Sequence, residues 1–318
     1  MMTALRLIFL LSIFLSGCVV ITLPTAEPLI EKVIGGEGDA KVLLIDISGI
    51  ITDSDRKDAV FSTKQNMTAR IREELDKASV DEDVRAVVLR IDSPGGAVTT
   101  SDIIAHEIKK FREKKKVPVI AELMDVAASG GYYIAAASDR IIAHPTTVTG
   151  SIGVVAFSVN ASGLLEKVGI TNQTIKSGDK KDIGSLLRPM TGDERIIIQS
   201  IIDDLYERFL DIVMDGRKGS FTRDELKKIA DGRVYTARQA LDLKLIDEIG
   251  YLDDAVEAAK SKAGIKEARL ITYAPPRSYR NNIYSSLEDL PVSINLVNID
   301  AGSFTGRLGM SFMYLWMQ

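Results

Sequence analysis

From Lys41 onward, short apolar runs alternate with longer segments whose apolar residues recur every three or four positions. Val42-Leu43-Leu44-Ile45-Asp46-Ile47, Ala86-Val87-Val88-Leu89-Arg90-Ile91 and Val117-Pro118-Val119-Ile120-Ala121 are near-continuous apolar runs, which predict strands buried on both faces. Helical spacing over residues 64–78, 101–114 and 129–138 separates them from one another and from shorter strands predicted over 140–143 and 152–157. This βα alternation predicts an α/β fold whose mostly parallel sheet is covered by helices. The second half is more helical. Residues 193–215 place Ile197, Ile201, Leu205, Phe209 and Ile212 three or four apart, as one long amphipathic helix would. Shorter helices are predicted over 222–230, 237–243 and 252–263, the last stopped by Gly264, before a strand near 270–273.

Both ends of the chain depart from this pattern. Arg6 precedes an apolar run of Leu, Ile and Phe from Leu7 to Leu15, followed by Ser16-Gly17-Cys18. That run is too short for a permanent membrane span but suits a cleaved signal peptide. Its end looks like the lipobox of bacterial lipoproteins, in which Cys18 is lipidated and becomes the new N-terminus. Residues 1–17 are then the signal peptide and 18–39 a lipidated N-terminus and tether, rich in Gly around Gly35-Gly36-Glu37-Gly38. A folded domain is expected over 40–273 and a tail over 274–318. That tail ends in Phe312-Met313-Tyr314-Leu315-Trp316, an apolar stretch that needs cover from its own core or from a neighbouring subunit.

Composition narrows the chemistry. At 318 residues with 46% hydrophobic and 26% charged content, the chain is globular, and a net charge of −4 offers no basic face for nucleic acid. One Cys and two His leave no set for a structural zinc site and no intrachain disulfide, so no cofactor or metal is expected. Three segments carry candidate chemistry. Asp92-Ser93-Pro94-Gly95-Gly96 joins a strand to a helix and reads either as a plain tight turn or as a loop aiming N–H groups at a ligand oxygen. Ser129-Gly130-Gly131 follows an apolar run and opens a helix. Ser129 is either an N-cap or a nucleophile, with the Gly130 and Gly96 amides as its oxyanion donors. Lys176-Ser177-Gly178-Asp179-Lys180-Lys181-Asp182 is a basic loop after a strand, either a solvated run or a source of an amine base. His106 falls mid-helix and His144 before Pro145, and neither segment is shaped for catalysis.

Five motifs occur in the order of a known family: Asp92-Ser93-Pro94-Gly95-Gly96, Ala128-Ser129-Gly130-Gly131-Tyr132-Tyr133, Thr149-Gly150-Ser151-Ile152-Gly153-Val154, Ser177-Gly178-Asp179-Lys180-Lys181-Asp182 and Ile229-Ala230-Asp231-Gly232-Arg233-Val234-Tyr235. On them the chain resembles the serine–lysine peptidases of family S49, the short-form bacterial signal peptide peptidases, on a ClpP/crotonase-like fold. The resemblance implies Ser129 as nucleophile and Lys181 as general base, with Lys180 the alternative. It further implies Gly96 and Gly130 as oxyanion hole and Ser151 as the hydroxyl orienting the lysine. A carboxylate touching Lys181 would oppose its role as base, so Asp182 is expected to point away. The short form implies a homo-oligomeric ring in which serine and lysine meet across subunits. Peptide substrates such as signal-peptide remnants, and a tail able to lie in the groove as a product-like peptide, are implied likewise. Two rival functions share parts of this pattern: a catalytically silent membrane scaffold, and a crotonase-like acyl-CoA enzyme, which the export signal disfavours.

The lipobox predicts a lipoprotein of the bacterial cell envelope on the extracytoplasmic side. Cys18→Ser is expected to move the protein from the membrane fraction to the soluble fraction and to abolish the acyl mass increment at the mature N-terminus, read by fractionation and mass spectrometry.

Overall fold

The computed structural model describes residues 28–53, 56–59, 62–64, 66–276, 278, 282–284 and 311–316. Cys18 and the signal segment lie outside them. The described chain opens with β1 (Ile30–Gly35) and β2 (Lys41–Ser48), then a hairpin of β3 (Arg56–Ala59) and β4 (Ser62–Lys64). Next come α1 (Met67–Val80), β5 (Val84–Ser93), β6 (Gly95–Ala97), α2 (Val98–Lys115) and β7 (Val119–Ala128). The middle carries α3 (Gly130–Ala135), β8 (Arg140–Ala143), β9 (Val148–Gly150), β10 (Val155–Phe157), α4 (Ser162–Lys167), α5 (Gly192–Gly216) and α6 (Arg223–Ile229). It closes with β11 (Val234–Thr236), α7 (Ala237–Asp242), β12 (Glu248–Ile249), α8 (Leu252–Ala263), β13 (Arg269–Ala274) and β14 (Ser311–Leu315).

The main sheet runs β1-β13-β2-β5-β7-β8-β12, with β9 also on β7 and β11 on β9. Only the β1/β13 and β9/β11 pairs are antiparallel, so the expected α/β fold with a mostly parallel sheet is the one observed. Alternation along the strands sorts the core onto two faces. Leu43, Ile45, Val87, Leu89, Ala121 and Leu123 join the larger core. Val42, Leu44, Ala86, Val88 and Ile120 face the other way, onto Leu252, Ala255 and Ala259 of α8. A continuous apolar run serves both cores at once, which is why these strands are not amphipathic.

Helix starts follow local chemistry. Asn66 accepts the Ala69 N–H at the start of α1, and Thr191/Glu194, Thr222/Glu225 and Thr236/Gln239 close capping boxes on α5, α6 and α7. Gly264 ends α8 in the left-handed conformation, as its position suggested.

Three expectations change. The end of the tether is the edge strand β1, because residues 30–35 pair antiparallel with β13. The strand expected over 152–157 shortens to β10 and leaves the main sheet, pairing with β14. No strand precedes the lysine loop; Ile175 is 99% exposed and meets no strand partner among the described residues. Among the described residues no helix is long and apolar enough to cross a membrane.

One buried row is polar. Asp46, Arg90 and Glu122 occupy paired positions on β2, β5 and β7, and the Arg90 Nε lies 2.6 Å from Asp46 Oδ1. Glu122 is fully buried, and neither of its carboxyl oxygens has a hydrogen-bond partner among the described residues. Burial, with the Asp254 and Glu248 carboxylates adding to it, pushes its pKa up to about 8. The folded chain therefore keeps a proton that the unfolded chain releases near 4.5. Stability should fall as pH rises from about 4.5 to about 8 and level off above that. Glu122→Gln is expected to remove this slope, gaining on the wild type in thermal midpoint between pH 5 and pH 8.

Candidate active site

The two motif loops meet at the carboxyl end of the parallel sheet, where α/β folds place their ligand sites. The last three residues of β7, Val126 to Ala128, run past β8 and pair with β9 instead, carrying the chain directly into Ser129. Ser129 adopts φ 52 and ψ −114, a conformation that costs a non-glycine residue about 1–3 kcal/mol. The surroundings hold it there. Its N–H donates to Gly150 O (2.7 Å), and its carbonyl accepts the Tyr133 N–H (2.8 Å). The side chain makes no capping bond to α3, although Ser129 stands at the cap position. Ser129 is 1% exposed, and no hydrogen bond of its hydroxyl is found among the described residues.

The glycine turn is rigid for its own reasons. Ser93 Oγ donates to Gly49 O (2.6 Å) and accepts the Gly95 N–H (3.1 Å). Ile51 bonds Gly95 O and Ala97 N–H from one side (2.9 and 2.8 Å), which leaves the Gly96 amide directed to the other. Gly95 needs its missing side chain: at φ +100, a Cβ would lie 2.0 Å from Tyr314 O and 2.7 Å from Gly130 N. Gly130 is equally confined, since a Cβ there would sit 2.6 Å from Ser101 Oγ and 3.2 Å from Gly96 N. The two backbones thus approach within a distance that only glycine permits, and the Gly96 and Gly130 amides border one small space.

That space is covered by the chain's own end. β14 lies between β6 and β10, antiparallel to both, with Tyr314 opposite Gly96. The Trp316 N–H donates to Pro94 O (2.9 Å) and fixes the phase of the ladder. Two residues along, Gly96 and Tyr314 then form the next hydrogen-bonded pair, so the Gly96 N–H faces the Tyr314 carbonyl.

Ser151 belongs to the same neighbourhood. It follows Gly150, whose carbonyl holds the Ser129 amide, and it too has positive φ (50), with its N–H on Arg233 O (2.8 Å). Arg233 comes from the fifth motif through the β9/β11 pairing. Ser129, Gly96, Gly130 and Ser151 are therefore brought together. The lysines are not. Lys181 is exposed, and no hydrogen bond or ion pair of its side chain is found among the described residues; the Lys180 ammonium lies 3.8 Å from Asp193. Asp182 turns to Lys176 (2.7 Å) and Arg188 (2.6 Å), and these cations, Arg188 first, hold its carboxyl well below the usual carboxylate range. Arg188 also grips Glu194 at 2.6 Å, lowering that carboxyl to about 2 and tying the loop to the start of α5. His106 is exposed on α2, and His144 packs edge-on against Tyr251 with Nδ1 2.8 Å from Thr146 Oγ1.

Ser93, Ser101 and the Gly150 carbonyl, which brace the site, were not singled out from sequence. Ser93 sits inside a motif, but only the fold reveals that its hydroxyl clamps the turn.

Residues 111–266 match the model of peptidase family S49. A candidate signal peptide peptidase SppA of Enterococcus faecium is 37% identical over 238 residues, covering 75% of this chain and 68% of that protein. A candidate protease of Methanocaldococcus jannaschii is 33% identical over 269 residues, 85% of each chain. The chloroplastic serine protease SPPA of Arabidopsis thaliana is 37% identical over 215 residues, 66% of this chain and 31% of that one. A mutant of a membrane-bound stomatin-specific protease is a distant structural likeness, with TM-score 0.48 and 15% identity over 75% of this chain and all of that one. The chain belongs to peptidase family S49.

The strain at Ser129 has a measurable consequence. Glycine tolerates φ 52, ψ −114, whereas alanine does not. Ser129→Gly should therefore be more stable than Ser129→Ala by roughly 1 kcal/mol, read from the denaturant midpoints of the two variants.

Proposed function

We propose that the protein is a membrane-anchored serine endopeptidase that uses Ser129 and Lys181 to degrade apolar peptides such as cleaved signal peptides. The observation that carries this reading is the uncapped, strained Ser129 beside two glycine amides, with an extended peptide already laid across them. Neutral Lys181 takes the Ser129 proton as Oγ bonds to the peptide carbonyl carbon. The oxygen gains negative charge and is held by the Gly96 and Gly130 N–H groups. As the C–N bond breaks, the lysine passes its proton to the leaving amine. It then takes a proton from water as the hydroxide adds to the acyl ester, and hands that proton to the departing Ser129 Oγ, which releases the acid product and restores both residues. Ser151 orients the amine.

Strand addition explains how peptides of differing sequence are held. β6 and β10 offer backbone groups to an extended chain between them, while side chains enter pockets on alternate sides. A relative named as a candidate signal peptide peptidase supports the apolar substrate class. The lipid anchor at Cys18 would keep the groove at the membrane surface, where such remnants are left.

Lys181 reaches Ser129 from a neighbouring subunit in this reading. The segment between β10 and the middle of α5 exposes Phe157, Leu164, Val168, Ile170, Ile175 and Ile196, a run of apolar side chains that calls for cover. A homo-oligomeric ring would cover them and bring each lysine arm to the next serine.

Cleavage of a fluorogenic apolar peptide should be lost in both Ser129→Ala and Lys181→Ala. Mixing the two inactive proteins under conditions that exchange subunits should restore part of the activity. Full activity in Lys181→Ala would remove the dyad, and failure of the mixture to recover would place both residues in one chain.

A further inference from the structure

We infer that Arg188 is the positioning residue that aims Lys181: its guanidinium knots an otherwise irregular arm to α5 and leaves that one lysine free to reach a neighbouring serine. Lys181 must be the base proposed above for this to hold.

The arm has little else to shape it. Residues 170–190 form no helix or strand, and the bonds around Lys181 are local. The Lys181 N–H donates to Gly178 O (3.1 Å), the Ile183 N–H to Lys180 O (3.2 Å) and the Ser185 N–H to Asp182 O (3.0 Å). Bonds of that span curl a loop without fixing where it lies on the protein. A loose arm would carry Lys181 through many positions, and general-base catalysis depends on one.

Arg188 supplies the fixed point. Its Nε and Nη2 donate to the two oxygens of Asp182 (2.9 and 2.6 Å), and its Nη1 and Nη2 donate to the two oxygens of Glu194 (2.9 and 2.6 Å). A planar fork can hold two carboxylates in this way, whereas a lysine would meet them as a point charge. Glu194 is the firm end of the bridge. It is 1% exposed, closes the capping box of α5, and accepts the Thr191 N–H at 2.9 Å. Asp182, at the other end, directly follows Lys181, and Lys176 closes on the same carboxylate at 2.7 Å. Arg188, foremost among their neighbours, holds both carboxyls below the usual carboxylate range, so the bridge stays charged at any pH where an amine could serve as base.

The same knot sorts the lysines of the loop. Lys176 is engaged with Asp182, and the Lys180 ammonium turns back to Asp193, the neighbour of Glu194 on α5, at 3.8 Å. Lys181 alone of the three has no side-chain hydrogen bond or ion pair among the described residues. It is also the one whose backbone is joined directly to the anchored Asp182.

Steady-state kinetics of full-length Arg188→Ala and Arg188→Lys on a fluorogenic apolar peptide test this. We expect kcat to fall by on the order of tenfold in Arg188→Ala with KM little changed, and Arg188→Lys to recover only a small part. The acid limb of the kcat/KM profile is the readout that a simple loss of stability does not move. A base that leaves its desolvated seat more often is more readily protonated, so the limb should shift to higher pH. Thr191→Ala removes the cap hydroxyl of α5 but none of the Arg188 bonds, and should leave the limb in place. Arg188→Ala should also gain activity on subunit exchange with Ser129→Ala, which brings an intact arm, and none with Lys181→Ala. No gain from Ser129→Ala, where Lys181→Ala does gain from it, would overturn the inference, as would an unmoved acid limb. Wild-type kinetics in Arg188→Ala beside an inactive Lys181→Ala would sink the inference alone. Full activity in Lys181→Ala would sink the dyad and the role of Arg188 with it.

Discussion

The site depends on one close approach: the turn at Gly95-Gly96 lies against the start of α3 with no side chain between them. Everything around it serves that contact. β5 and β7 are adjacent parallel strands, so their carboxyl ends arrive side by side. Ser93 clamps one loop, and the Gly150 carbonyl pins the other through the Ser129 amide. The strained backbone of Ser129 persists because the strands below and the helix beyond determine it from both sides. In the role proposed for it, a Ser129 held this way needs no rearrangement to meet a carbonyl placed between the two amides.

Much of the architecture was legible because its signals are local. Apolar runs doubly buried in a parallel sheet, Thr-x-x-Glu boxes and a terminal glycine each act within a few residues, and most elements they predict differ from those observed by a few residues at their ends; β7 is the exception, running seven residues past the apolar stretch that predicts it. β1 and β10 were misjudged because their pairing partners, β13 and β14, lie far along the chain. No property of Ile30 to Gly35 alone distinguishes an edge strand from a tether.

The site divides along the same line. Ser129, Gly96 and Gly130 were readable because a strand-to-helix turn with glycines is a local event. Tyr314 was not, since its burial depends on Tyr133, Leu205 and Phe209, which converge only in three dimensions. Lys181 is the opposite case. Its motif is plain in the sequence, yet a single chain leaves it in solvent, because the surface that would receive it is not its own in the reading proposed here.

In the function proposed here, β14 also sets the terms on which any other peptide reaches Ser129. It is joined covalently to the body it covers, so its local concentration does not change when the protein is diluted. An incoming peptide competes against a tethered rival and binds more weakly by the fraction of time that rival is away. Peptides in bulk solution are then poor competitors at low concentration, whereas chains concentrated at a surface are good ones. The groove's own cover would thus act as a threshold, sparing scarce passing polypeptides and yielding where apolar chains accumulate.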